Sequence, residues 1–222
     1  MRYIDDKIIP TIFPAEIESA FGTKLLDSST IPQPCIDMLQ VHGTHVERIY
    51  GNTSRTVQNA DGLLSSERNV SLITKTADCV PILFYDPHIG LIGASHQGWK
   101  GTHARMQQTM INNMIAHGAA IDSILVSIGP AIGPCCYEVF GERKMLLENE
   151  FSRYKHLIFD RASDRTTLNL CRLNYELLKE VGIKESHIEY TLECTACHES
   201  LFSSYNRDTY IKSMDNYIRI KQ

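Results

Sequence analysis

Short apolar runs, most of them four to seven residues long, divide the chain, and their period changes near residue 96. Residues 80–85 and 91–95 are two such runs with Asp86 and Pro87 between them, which predicts two strands joined by a turn. Residues 36–41 and 71–74 predict further strands, with 47–50 continuing the first. Before residue 34 the pattern is weak. Ile8-Ile9-Pro10 and Ile12-Phe13-Pro14 predict edge fragments, because proline donates no ladder hydrogen bond. Asn59-Ala60-Asp61-Gly62 signals a turn. Past residue 96, Thr102 is placed to cap a helix whose apolar face is Met106, Met110, Ile111, Met114 and Ile115, with Gly118 as its stop. Residues 124–128 predict a strand running into Gly129-Pro130-Ala131-Ile132-Gly133-Pro134, where two Gly-Pro pairs demand a shaped loop.

A helix is expected over 138–151, and a short strand or cap at Leu168-Asn169-Leu170. Leu173, Leu177, Leu178 and Val181, closed by Gly182, predict a second amphipathic helix. Ile188, Tyr190 and Leu192 alternate with polar residues as in a half-buried strand, and 202–205 and 217–220 predict the last strands. Strand runs mixed with separate helices imply an α+β or mixed layered fold. Its 222 residues suffice for one sizeable core, so 1–222 is read as a single domain.

Composition narrows the partners. The formal charge of -4 is spread in mixed sign, which leaves no nucleic-acid footprint. The first residues carry no apolar run of the kind that opens a secretory leader, and no stretch is long enough for a membrane span. Seven cysteines, an odd number, predict reduced thiols and a cytoplasmic location.

The predicted hairpin carries the first candidate chemistry. In an antiparallel pair the start of one strand lies beside the end of the next, so Cys79 and His96 should meet at one sheet edge. With His42 from Gln40-Val41-His42-Gly43, they make a three-ligand zinc site with an open fourth position. The pair also fits a thiolate nucleophile activated by histidine. His45 is expected to be a surface neighbour. Lys100, between Gly98 and Gly101 at a predicted helix start, suits an anion such as phosphate. His187-Ile188-Glu189 followed by Cys194-Thr195-Ala196-Cys197 imitates a zinc deaminase signature, but Glu193 replaces the proline and too few residues intervene. His187 and Glu189 are therefore read as a solvated strand face. Cys194 and Cys197 have redox-pair spacing without the usual helix start. Cys135 and Cys136 are expected to pack in or beside the Gly-Pro loop.

Taken together, Gln40-Val41-His42-Gly43, Thr76-Ala77-Asp78-Cys79-Val80-Pro81, His96-Gln97-Gly98-Trp99-Lys100-Gly101 and the Gly-Pro loop carry a resemblance. Tyr137-Glu138-Val139, Asn169-Leu170, Cys194-Thr195 and Phe202-Ser203-Ser204-Tyr205 follow in the same order. The sequence resembles the laccase-domain, or YfiH-like, family. That resemblance implies a layered α/β/β/α domain with mixed sheets and zinc on His42, Cys79 and His96. It implies phosphorolysis of adenosine, inosine, guanosine or methylthioadenosine, and adenosine deamination. Some bacterial relatives are instead given a peptidoglycan-editing role, for which a Cys79–His96 hydrolase or amidase is the alternative.

Asp78, Cys79 and His96 are the expected catalytic residues, with Asp78 a proton shuttle. Arg48, Lys100, Tyr205 and Arg207 are the expected substrate contacts. The family usually carries arginine where this chain has Lys100, and an arginine pair where it has Asn206 and Arg207. The expected partners are a nucleoside and phosphate, with no nucleic acid or membrane, acting on a monomer. Copper could occupy the same ligands. The nine histidines include no His-x-His pair, so a laccase's full copper set is not expected and zinc is preferred.

Overall fold

Two mixed sheets form the body of this α+β domain, whose computed structural model describes residues 1–51, 55–162 and 165–222. The six-stranded sheet runs Ile188–Tyr190, Leu125–Ile128, Val80–Asp86, Leu91–Gln97, Gly62–Ser65, Val46–Arg48. The expected hairpin lies at its centre, pairing Ile92 with Tyr85 and His96 with Pro81. Every residue of both central strands is buried. The pleat explains this, since alternate side chains serve opposite layers. Leu83, Tyr85, Ile92 and Ala94 face the second sheet. Val80, Ile82, Phe84 and Leu91 face the helices. A strand covered on both faces reads as a continuous apolar run rather than an alternation.

The seven-stranded sheet runs Arg2–Ile4, Lys7–Ile9, Ile17–Gly22, Met214–Ile220, Ser71–Thr76, Cys35–Met38, Thr56–Val57. Phe21, Leu72 and Ile218 point into the inter-sheet core. Their neighbours Ala20, Ile73 and Tyr217 form the outer face, covered by Leu26 and Ile31 beside the 3₁₀ turn Ser28–Thr30. The opposite outer layer is fuller. Helices Met106–Ala116 and Leu170–Glu180 lay Met106, Met110, Ile111, Met114, Leu173 and Leu177 on the six-stranded sheet. Asn169 caps the second helix by accepting from the Arg172 N–H at 2.9 Å.

Several local expectations are corrected. The weakly patterned start contains Ile17–Gly22, an interior strand with four buried residues in succession. Both its faces are covered, Ile17 and Phe21 in the inter-sheet core and Ala20 with Leu26 and Ile31 on the other side, so the alternation used to recognise strands is lost. Residues 47–50 do not continue Cys35–Met38: Val46–Arg48 belongs to the other sheet, parallel to Gly62–Ser65. The chain crosses between sheets at 39–45, and His42 sits in that crossing. The single helix expected from Thr102 is two. Trp99–His103 ends before Arg105, which adopts φ 63°, and Met106–Ala116 then begins. Thr102 is inside the first helix and buried, and Ile115 is exposed rather than on the apolar face. The 138–151 helix begins later, at Gly141, and ends at Glu150. Residues 202–205 form no strand, though Phe202, Ser203 and Ser204 are buried.

Candidate active site

Three chain segments converge at one end of the six-stranded sheet. The central hairpin brings Cys79, just before its first strand, alongside the end of the second, which carries His96. The inter-sheet crossing brings His42. Their ligand atoms all lie within 4.8 Å of one another, with His42 Nε2 at 3.9 Å from Cys79 Sγ. The two imidazoles meet edge to face at 4.7 Å between centroids. Gly98 is required here by close approach. A Cβ at that position would stand 2.6 Å from His42 Cδ2 and 3.3 Å from Cys79 Sγ.

Asp61 assembles the site. Its carboxylate accepts from the backbone N–H groups of Val41, His42 and Gly43 at 3.2, 3.0 and 2.7 Å. Such a run of donors around an anion holds His42 at φ 61°, a conformation that costs ~1–3 kcal/mol and persists only where its surroundings impose it. Asp61 Oδ1 also lies 2.8 Å from His96 Nδ1, and the Asp61 carbonyl accepts the His96 N–H at 2.8 Å. With Nδ1 engaged, His96 presents Nε2 to the cluster, the orientation used for a metal-binding histidine. Asp61 is fully buried and His96 is 3% exposed.

The charges reinforce one another. Burial pushes the Cys79 thiol up, but the hydrogen bonds and charges of His42 and His96 together outweigh it and bring it down to about 7. Burial pulls His96 down, and Asp61 and Cys79 together raise it to about 9. Without metal the pair favours thiolate and imidazolium. Two nitrogens and a thiolate that converge with one side open fit a zinc ion.

Asp78, at φ 91°, ties the Cys79 segment to the end of the chain. Its carboxylate accepts from Thr195 Oγ1 at 2.6 Å, Ser204 Oγ at 3.0 Å and the Asn206 N–H at 2.7 Å. Arg207 donates to the carbonyls of Thr195, Ala196 and Phe202 at 2.8, 3.0 and 2.8 Å, and pairs with Asp208. Lys100 is exposed, its Nζ 5.8 Å from the Trp99 ring centroid. The helix behind it has only five residues, so the long helix dipole expected there is missing. Arg48 donates to Ser66 Oγ at 2.8 Å, and Tyr205 is 76% exposed. His45 pairs with Glu47 and is not part of the His42–Cys79–His96 group.

Other site residues escaped the sequence reading. Asp61 appeared only as part of a turn signal. Tyr137 follows the Gly-Pro loop. Burial pushes its phenol up to about 12, against the charge of Arg143 and with that of Cys79 adding to it. Arg143 stacks over Trp99 at 4.9 Å on the face of the same region. The deaminase-like segment separates into unrelated parts. The Glu189 carboxylate accepts from the Thr11 and Ile12 N–H groups at 3.0 and 3.4 Å. Cys194 and Cys197 gather with Cys135 and Cys136, which do lie beside the Gly-Pro loop.

Comparison places these residues among known proteins. The family model described as multi-copper polyphenol oxidoreductase laccase matches residues 20–219. A purine nucleoside phosphorylase, YlmD of Geobacillus stearothermophilus, is 37% identical over 180 residues, which are 76% of this chain and 65% of that protein. An adenosine deaminase named RL5, from an unknown prokaryotic organism, is 29% identical over 67% of this chain and 57% of its own length. The crystal structure of YlmD from Geobacillus stearothermophilus superposes with a TM-score of 0.88 at 26% identity, covering 100% of this chain and 98% of that one.

Proposed function

The chain belongs to the multi-copper polyphenol oxidoreductase laccase family, and we propose on that premise that it is a zinc-dependent purine nucleoside phosphorylase. In this reading adenosine, inosine, guanosine or methylthioadenosine reacts with phosphate to give free base and the sugar 1-phosphate, and adenosine is also deaminated. The observation that carries it is the His42–Cys79–His96 group, in a chain akin to one protein named for phosphorolysis and another for deamination.

His42, Cys79 and His96 would hold the zinc, which when bound supplies Lewis acidity at its open position. Asp61 fixes the His96 tautomer and the His42 backbone. Lys100 and Arg143 flank Trp99, and their charges offset the phosphate's as it attacks the sugar C1′. The phenol of Tyr137, held protonated at neutral pH, can donate a hydrogen bond to a purine nitrogen as the base leaves. Tyr205 offers an exposed ring to the base. Asp78 and Arg207 hold the 195–208 loop through the hydrogen bonds described above, and in this reading they position the site rather than move protons.

The decisive experiment incubates zinc-loaded protein with inosine and with adenosine, each with and without phosphate, and identifies the products chromatographically. Hypoxanthine should appear only with phosphate, and inosine should form from adenosine without it. No turnover of either nucleoside would overturn the assignment. One observation favours a second reading, a Cys79–His96 hydrolase: the thiol lies among two imidazoles, an arrangement that lowers Cys79 and raises His96. That enzyme would cleave an amide in metal-free protein and ignore phosphate. A four-electron copper oxidase is not proposed. Among the described residues, the histidine-bearing ligand group supplies two imidazoles, too few for a blue copper and a trinuclear cluster.

A further inference from the structure

We propose that Cys135, Cys136, Cys194 and Cys197 bind a second zinc ion, in a four-thiolate structural site distinct from the His42–Cys79–His96 group. Their sulfurs lie within 4.8 Å of one another. Cys197 Sγ stands 3.3 Å from Cys135 Sγ and 3.4 Å from Cys136 Sγ. A tetrahedral zinc site with Zn–S near 2.3 Å needs sulfurs about 3.8 Å apart, so small rotations complete the tetrahedron. A disulfide needs about 2.05 Å between two sulfurs, and Cys197 is equally near two partners. All four thiols are free.

The backbone prepares the site. Cys135 and Cys136 occupy the turn that closes the Gly-Pro loop, and Cys194 and Cys197 bracket another turn. Ala131 and Cys194 form a β-bridge, and the Thr195 N–H donates to the Ala131 carbonyl at 3.0 Å, so the two turns are locked side by side. The Gly133 N–H donates to Cys194 Sγ at 3.1 Å, a contact that favours thiolate. The Arg207 guanidinium lies on the Thr195 and Ala196 carbonyls, placing a cation against the turn that would carry the site's negative charge. Binding replaces the thiol protons with the ion, leaving a dianionic centre.

The location gives the site a purpose. Residues 191–213 contain no helix and no strand beyond the Cys194 bridge, yet Phe202, Ser203 and Ser204 are buried. This stretch also supplies Thr195, Ser204 and Asn206 to Asp78, the residue before Cys79. A four-coordinate ion at its base would fix the Asp78 contacts without regular structure. Cys194 is 5% exposed, whereas Cys135 and Cys197 are exposed, so the ion would sit at the surface, open to exchange.

The test counts metal in three proteins after reduction and zinc loading: wild type, Cys79→Ala with His96→Ala, and Cys135→Ser with Cys197→Ser. We expect about two zinc ions per chain in the first and about one in each variant, the number of four-ligand and three-ligand sites. Cobalt(II) added to the Cys79→Ala, His96→Ala protein should give an intense near-ultraviolet thiolate charge-transfer band and tetrahedral visible bands. Neither zinc nor cobalt binding in that protein would overturn the proposal, as would full zinc content after loss of Cys135 and Cys197. Should a variant fail to fold, alkylation of the wild type decides. Zinc should protect these four cysteines from iodoacetamide in peptide mass spectra, and equal labelling with and without zinc would refute the site. Recovery of the four as two disulfides in protein purified under reductant would refute it too.

Discussion

At the scale of single residues, Asp61 holds two of the three candidate ligands at once, the backbone of His42 and the ring of His96. Asp61→Asn keeps the size but removes the charge facing His96 and weakens the cradle of N–H groups around residue 42. Zinc affinity should fall roughly 10–100-fold, the usual cost of losing such a support. Competition with a chromophoric chelator measures it, and unchanged affinity in folded protein would remove Asp61 from this role. Lys100→Ala addresses the substrate instead. Losing one charge-assisted contact should cost ~1.5–3 kcal/mol, roughly ten- to a hundredfold in phosphate affinity. Ammonia release from adenosine should barely change, since deamination consumes water. Equal loss of both activities would mean that Lys100 supports the whole site. Cys79 and His96 were legible as neighbours because strand register follows from two runs and a turn. Asp61 was not legible, because an aspartate in a turn most often serves only that turn. The four cysteines were not either, since their meeting depends on a β-bridge between residues 131 and 194 that no local pattern announces.

At the scale of elements, the site exists because a hairpin end, an inter-sheet crossing and a helix start occupy nearly the same space. Gly98 is where they touch. Gly98→Ala would force His42 away from Cys79, since the added carbon cannot sit 2.6 Å from the ring. The expected result is a folded protein with an unchanged far-ultraviolet spectrum and strongly reduced zinc content; full zinc content would show that the crossing moves freely. The same elements mark the reach of sequence patterning. The buried hairpin was read correctly from two apolar runs and the turn between them, and the Leu170–Glu180 helix from its consistent helical period. The break at Arg105 was not, because a left-handed arginine has no propensity signature. The Arg105 side chain reaches Glu150 and Glu180 at 3.0 and 3.1 Å, joining two helices across the outer layer.

At the scale of the whole molecule, carboxylates outside the His42–Cys79–His96 group link separate segments and make stability depend on acid. Burial pushes Asp37, Glu180 and Glu189 up. Lys75 for Asp37, Tyr154 and Arg105 for Glu180, and the amino terminus and Thr11 for Glu189 outweigh burial and hold all three below ordinary values. A carboxylate whose folded pKa is depressed contributes stability above its unfolded pKa and loses it as pH falls through the folded one. The melting temperature should therefore hold down to about pH 4.5 and drop below it. Glu189→Gln should flatten that drop, and an unchanged acid profile in this variant would exclude Glu189 from the linkage.

Met214–Ile220 lies between Ile17–Gly22 and Ser71–Thr76, and so joins the first strands of the seven-stranded sheet to the rest. The consequence is one of timing. As the chain is made from its amino end, Ile17–Gly22 and Ser71–Thr76 are two bare edges, each able to pair with another molecule, until Met214–Ile220 slides between them. Pairing Ile17 with Ile220 brings together residues far apart in the chain, which raises the contact order and slows folding. A chain stopped at residue 213 should accordingly accumulate in the insoluble fraction, with soluble yield the readout, while the same segment supplied as a separate peptide competes to close the gap.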